Sequence, residues 1–285
     1  MATRPAAVFL GLLVTTCSAR GPRSVASAGA TTCSVGEHFT AGRGCVADGA
    51  ARPTSPAPTA SVAASPVHDA PRTAAPSDRC PREMGFIAGG TYKMEERGNT
   101  VTVQPFCLDL TEVTAEAYAQ CVQSKKCSAE DLRCAPEATY GTVGKADHPV
   151  NCVDWNQAVT YCQAQSKRLP TEEEWEWAAR GQEEAREYPW GEGDPRSKVC
   201  WSGATDRGGT CRVGEFVAGD ARGGIHDLAG NVWEWTASKY GAKEKARVNR
   251  GGGWISNRAA DLRTSNRYAD DPENRTAYDG FRCAR

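Results

Sequence analysis

Large apolar side chains fall into three textures along the chain. Arg4 precedes an unbroken apolar run from Ala6 to Val14 (AAVFLGLLV), the length of a signal-peptide core and too short to cross a bilayer as a helix. From Ala51 to Arg79 (ARPTSPAPTASVAASPVHDAPRTAAPSDR) Pro, Ala, Ser and Thr dominate. With almost no large apolar side chain, this stretch cannot offset its ordering entropy by burial, and it reads as a linker. From Cys80 onward short apolar pieces alternate with polar ones, and all eight tryptophans lie there.

Three stretches of this last part carry a helical period. In DWNQAVTYCQAQ, Asp154 caps the first turn, Gln157 completes a capping box, and Ala158, Tyr161 and Cys162 share one face. In PTEEEWEWAARG, Thr171 and Glu174 form a second box, acidic residues stand at the positive end of the helix dipole, and Gly181 ends the helix. A third helix is predicted near TAEAYAQCVQS. Elsewhere glycine pairs at Gly89, Gly208 and Gly223 and a triplet at Gly251 punctuate pieces such as FIAGGTYKM, which argues against long helices and against a parallel sheet. The expected fold class is therefore α+β: an irregular, loop-rich, disulfide-stapled domain over 80–285. It follows a signal peptide (1–19), a short Cys/Gly-rich segment (20–50) and the linker (51–79).

Charge and cysteine content sharpen this picture. Lys and Arg number 34 against 35 Asp and Glu, so no nucleic-acid partner is expected and partner choice must come from a local site. The thirteen cysteines, ten of them from Cys80 onward, lack the close pairs of a tetrahedral zinc site and point to disulfides in an oxidising compartment. Export is thus indicated twice. Cys17 directly follows the apolar run, in LLVTTCS, which leaves two outcomes open. One is a bacterial lipoprotein signal, with lipidated Cys17 attaching the chain to a membrane of the cell envelope; the other is ordinary cleavage after Ala19 or Ala28, giving a periplasmic or secreted protein. Cys33 and Cys45 bracket a Gly-rich segment and are candidates to close one small loop. The connectivity of Cys80, Cys107, Cys121, Cys127, Cys134 and Cys152 cannot be deduced from spacing.

The segments TEVTAEAYAQC, HPVNCVDWNQAVTYC, KRLPTEEEWEWAARG, YPWG, GIHDLAGNVWEWT, RGGGW and GFRCA occur in the order seen in formylglycine-generating enzymes, the sulfatase-modifying factor family, and cover about 200 residues. The resemblance implies a C-type-lectin-like architecture with little regular secondary structure. It implies a structural calcium in GIHDLAGNVWEW, held by Asp227, Glu234 and the carbonyls of Gly230 and Val232, a set of hard oxygens suited to that ion. A second calcium loop is shortened here between Cys200 and Cys211, where a disulfide would replace the ion. Cys162 and Cys283 match two cysteines that are joined in enzymes of the family. Trp175, Trp177, Trp190, Trp233 and Trp235 read mainly as core, Gly230 and Asn231 as a tight turn, and Arg180, Arg250 and Arg282 as ties between loops.

The resemblance departs at the reactive centre. Family members that oxidise a substrate cysteine hold copper(I) through two cysteines, as suits a soft ion. In RGGGWISNRAADLRTSNRY those positions fall on Ser256 and Asp261, and an assisting serine falls on Gly253. Copper is therefore not expected. What remains is a polar groove implied at Trp254, Ser256, Asn257, Arg258, Asp261, Arg263, Asn266 and Arg267, suited to a peptide, glycan or partner protein. Arg263 and Arg267 have an alternative reading as interior ties to Asp270, Asp271 or Glu273. Two functions follow as expectations: a non-oxidase binding module, or a formylglycine-generating oxidase acting on a sulfatase cysteine.

Overall fold

A computed structural model of the chain describes the backbone of residues 37–40 and 44–47, and then residues 80–285 except 204, 243 and 244. The signal segment, Cys17, the linker and the Cys33–Cys45 pairing lie outside the described residues. Glu37–Thr40 (β1) and Gly44–Ala47 (β2) form an antiparallel hairpin with Glu37 opposite Ala47. They belong to a unit spanning Met1–His68; the rest of the description concerns the second unit, Asp69–Arg285.

That unit opens with two antiparallel pairs, β3 (Met84–Ile87) on β6 (Phe106–Asp109) and β4 (Gly90–Lys93) on β5 (Thr100–Val103). In β4 and β5 the hydroxyls of Thr91 and Thr102 meet across the pair at 2.9 Å, a cross-strand contact of β-branched residues. Three helices follow: α1 (Ala115–Gln123), α2 (Trp155–Ala164) and α3 (Glu172–Ala179). The caps of α2 and α3 form as the sequence predicts, and Thr114 caps α1. Thr114 accepts from the Ala117 amide at 3.1 Å, Asp154 from Gln157 at 2.7 Å, and Thr171 from Glu174 at 3.2 Å, with the reciprocal capping-box bonds present in α2 and α3. Gly181, at φ +69°, turns the chain out of α3. Helices this short are marginal alone and are held by what they pack against.

Trp175 and Trp177 of α3 are fully buried among Ile87, Phe106 and Leu108 of the strand pairs. A second cluster joins α1 and α2, where Tyr118 stacks on Tyr161 at 5.5 Å and Phe281 meets Tyr161 edge-on at 5.4 Å. A smaller third cluster of Tyr188, Val199, Trp201 and Leu262 supports the C-terminal loops.

The last part is a four-stranded sheet of order β10-β7-β8-β9, built from β7 (Trp233–Lys239), β8 (Arg247–Arg250), β9 (Arg267–Asp270) and β10 (Asp279–Gly280). β7, β8 and β9 pair antiparallel, whereas β10 lies parallel to β7. The glycine punctuation argued against a parallel sheet, and the only parallel pairing among the described residues is this two-residue one. Five disulfides staple the unit: Cys80–Cys107, Cys121–Cys127, Cys134–Cys152, Cys162–Cys283 and Cys200–Cys211. The Cys162–Cys283 bridge closes 121 residues and ties α2 to the end of the chain, where Cys283 also exchanges hydrogen bonds with Asp109 of β6.

Candidate functional site

The loop between β8 and β9 folds back over the sheet and forms one wall of a groove of about 370 Å3. Six of the groove residues expected from sequence line it: Ser256, Asn257, Arg258, Asp261, Asn266 and Arg267. Trp254 and Arg263 do not. The Trp254 indole donates to the Ala277 carbonyl at 2.9 Å, and Arg263 pairs with Glu187 at 2.8 Å. The groove instead includes Trp233, Ile255 and Tyr268, which sequence reasoning missed. Trp233 and Tyr268 lie 5.6 Å apart between ring centroids, and Tyr268 is 49% exposed.

Positions 256 and 261 are brought together at Gly252. That residue has φ +76°, and a Cβ there would stand 2.9 Å from the Asp261 carbonyl and 3.3 Å from Ser256 Oγ, so glycine permits the approach. The Ser256 hydroxyl accepts from the Gly253 amide at 3.1 Å and the residue is 6% exposed. The Asp261 carboxylate turns to Arg258 at 2.7 Å. The ten cysteines from Cys80 onward are all in disulfides, so none of their thiols is free to approach these two positions.

The back of the groove is fixed by buried charge. The register sets Glu234, Arg250 and Arg267 in one row across β7, β8 and β9. Arg267 grips Glu172 of α3 through two bonds, at 2.6 and 3.0 Å, and stacks on Tyr240 at 4.2 Å. Arg250 pairs with Glu176 and donates to the carbonyls of Thr264, Ser265 and Asn266. Arg180 reaches the Lys93 carbonyl. The alternative ties to Asp270, Asp271 or Glu273 are therefore corrected: Arg267 takes Glu172 and Arg263 takes Glu187. Asp270 is spent within its own turn on Asn274 and the Asp271 amide, while the β8–β9 register aims Arg267 at the first turn of α3.

The GIHDLAGNVWEW turn lies beneath. Asp227, Gly230 and Asn231 all have positive φ, and a Cβ on Gly230 would strike the Cys200 carbonyl at 2.6 Å. Asp227 accepts from the Gly214 amide at 2.6 Å. Glu234 accepts from Arg282 through both oxygens at 2.8 Å and from the Trp175 indole at 2.8 Å. Glu112, just before α1, is buried, and neither of its oxygens has an N–H or O–H donor among the described residues. Burial first, then the charge of Asp227, pushes its carboxyl well above the usual carboxylate range, and burial raises Asp227 as well. Three carboxylates thus share one guanidinium. Such a cluster needs added protons or a cation to be neutral. The orphaned Glu112 fits a bound cation. Among the described residues no three His, Cys, Asp or Glu side chains form a metal cage. No sequence signal marks Glu112, which reads as an ordinary acid ahead of a helix cap.

A small mixed sheet, three short capped helices and long loops under disulfide control define a domain of the formylglycine-generating-enzyme type. The chain belongs to the sulfatase-modifying factor family: residues 70–285 match the family described as the sulfatase-modifying factor enzyme 1-like domain. Inactive C-alpha-formylglycine-generating enzyme 2 of Bos taurus is 33% identical over 237 residues, covering 65% of this chain and 78% of that protein. Formylglycine-generating enzyme of Thermomonospora curvata is 35% identical over 183 residues, covering 53% and 60%. Among solved structures, PvdO from Pseudomonas aeruginosa superposes with a TM-score of 0.60 at 23% identity, covering 70% of this chain and 93% of that one, a likeness of fold.

Proposed function

We propose that this protein is a non-oxidase binding module of its family, exported and held at or released from the cell envelope according to whether Cys17 is lipidated. Its groove holds a ligand without oxidising it. The observation that carries this reading is the chemistry at positions 256 and 261: a hydroxyl and an ion-paired carboxylate line the groove, and the ten cysteines from Cys80 onward are committed to disulfides. Copper(I) needs soft thiolate ligands, and oxygen donors are poor substitutes. The family relatives carry names of both active and inactive enzymes, so membership alone favours neither outcome. The test is incubation of the purified chain with a cysteine-containing sulfatase peptide, copper(I) and oxygen, read by mass spectrometry. The peptide is expected to keep its thiol. Aldehyde that disappears on chelation would instead establish the formylglycine-generating oxidase.

Calcium is proposed as a structural ion of the Asp227–Glu234 turn, held by Asp227, Glu234 and the carbonyls of Gly230 and Val232. When bound, it would supply positive charge to a cluster that Arg282 only partly neutralises. Calcium added at about a hundred times its dissociation constant to chelator-treated protein is expected to stabilise by roughly 2.7 kcal/mol. Scanning calorimetry reads this as a rise in Tm, and Glu112→Gln is expected to shrink it. An identical Tm with and without calcium at neutral pH would remove the ion from this account.

A further inference from the structure

Every charge lining the groove already has a protein partner, and the same holds in the hollow next to it. That second hollow, of about 460 Å3, lies among Tyr188, Trp201, Gly203 and Ala259. The 3-10 turn Ala259–Leu262 is the shared wall, with Ala259 bordering one hollow and Asp261 the other. Behind it the two linings are stitched together, because the Ser202 amide donates to the Ser256 carbonyl at 2.9 Å and the Ser202 hydroxyl to the Trp254 carbonyl at 2.8 Å.

No charge on either lining is without a partner. In the groove Arg258 faces Asp261 at 2.7 Å and Arg267 faces Glu172 at 2.6 Å. In the second hollow Arg196 faces Asp194 at 3.0 Å and Glu187 faces Arg263 at 2.8 Å. A charged ligand would compete with these pairs, whereas a neutral one with hydroxyls bonds to their remaining donors and lone pairs without displacing either member. The free surface is of another kind. Exposed Tyr268 and half-buried Trp233 form an aromatic corner, and the exposed Asn257 carboxamide has no protein partner among the described residues. In the second hollow Trp201 and Tyr188 are themselves buried, 5% and 6% exposed, and Gly203 lies flat on the Trp201 indole, where a Cβ would come within 2.0 Å of the ring.

A molecule with apolar C–H faces, many hydroxyls and no charge matches these surfaces. Resting on the reading of the groove as a binding site, we propose that the two hollows together hold a neutral oligosaccharide. One sugar ring packs on Tyr268 and Trp233, and the chain continues over the Ala259–Leu262 turn into the second hollow, beside Gly203 and Ala259. An aromatic face beside a few placed polar groups is a usual construction of such sites.

The test titrates the purified full chain with cellohexaose, chitohexaose and laminarihexaose, and with glucose and N-acetylglucosamine. In parallel it titrates a sulfatase-derived cysteine peptide and a pooled library of uncharged peptides. Tryptophan fluorescence and calorimetry are the readouts. At least one hexasaccharide is expected to bind roughly tenfold or more tighter than its monosaccharide, with little change up to about 1 M salt because no charge is screened. Tyr268→Ala is expected to weaken it by roughly tenfold, as removal of a central aromatic contact does. Ala259→Phe, which narrows the second hollow, is expected to bring binding down to the monosaccharide level. Should that variant lose Tm, Asn257→Ala takes its place with a smaller loss expected. No binding by any of the saccharides, or binding that Tyr268→Ala leaves intact, overturns the proposal. If a peptide saturates the protein and Tyr268→Ala abolishes that, the groove reading stands without the sugar. If neither class binds, both readings fall.

Discussion

Replacing Cys162 and Cys283 together with alanine is expected to destabilise the domain by about 5 kcal/mol in the chain-entropy account, because the bridge closes a loop of 121 residues. For a domain of this size that corresponds to a fall in Tm of roughly 10–20 °C. Both sulfurs are fully buried, so the loss includes packing between α2 and Phe281. The internal comparison is Cys121–Cys127, which spans 6 residues, where the same account allows only about 2 kcal/mol. Urea unfolding of the two double variants measures the difference directly. Equal losses would show that loop closure is not what these bridges contribute.

The second large effect is a pH dependence centred on Asp279. This buried carboxylate of β10 accepts hydrogen bonds from Asn249 and Thr276, and burial pushes its pKa up to about 7, with the charge of Asp270 adding to the shift. In the unfolded chain the group loses its proton near 3.8. Between those two values the folded state binds more protons than the unfolded state, so stability falls as pH rises from 4 toward 7 and is level above it. A gap of about three units corresponds to roughly 4 kcal/mol. Asp279→Asn removes this slope, and the variant is expected to be the more stable protein at pH 8 and close to the parent at pH 4. Chemical denaturation across that range checks it, and parallel profiles for the two proteins would refute the assignment. Glu112, Asp227 and Asp109 shift in the same direction but are present in both proteins, so the difference curve isolates Asp279. The adjacent carbonyls of Ala277 and Tyr278 hold the Trp254 indole and the Trp233 amide, so the titration bears on the floor of the groove.

Much of the site was legible before the structure, though unevenly. Six of the eight groove residues expected from the RGGGWISNRAADLRTSNRY segment line one hollow, because they follow one another along a single loop. Trp254 and Arg263 sit in the same segment and point elsewhere, which depends on how the loop is pinned by Ala277 and Glu187. Tyr268 and Trp233 were missed for the converse reason. One stands on β9 and the other on β7, and only the sheet order places them at the same corner.

The amino-acid sequence by itself determined the three helices and the capping boxes of α2 and α3. Each rests on hydrogen bonds between residues three or four apart, as in Asp154 with Gln157 and Thr171 with Glu174. Tertiary structure alone decided the partners of the arginines, the pairing of Cys80, Cys107, Cys121, Cys127, Cys134 and Cys152, and the isolation of Glu112. Arg267 meets Glu172 across 95 residues, and Arg282 meets Glu234 across 48. A long-range ion pair leaves no periodic trace in the sequence, because any buried carboxylate of the right reach would satisfy the guanidinium equally well.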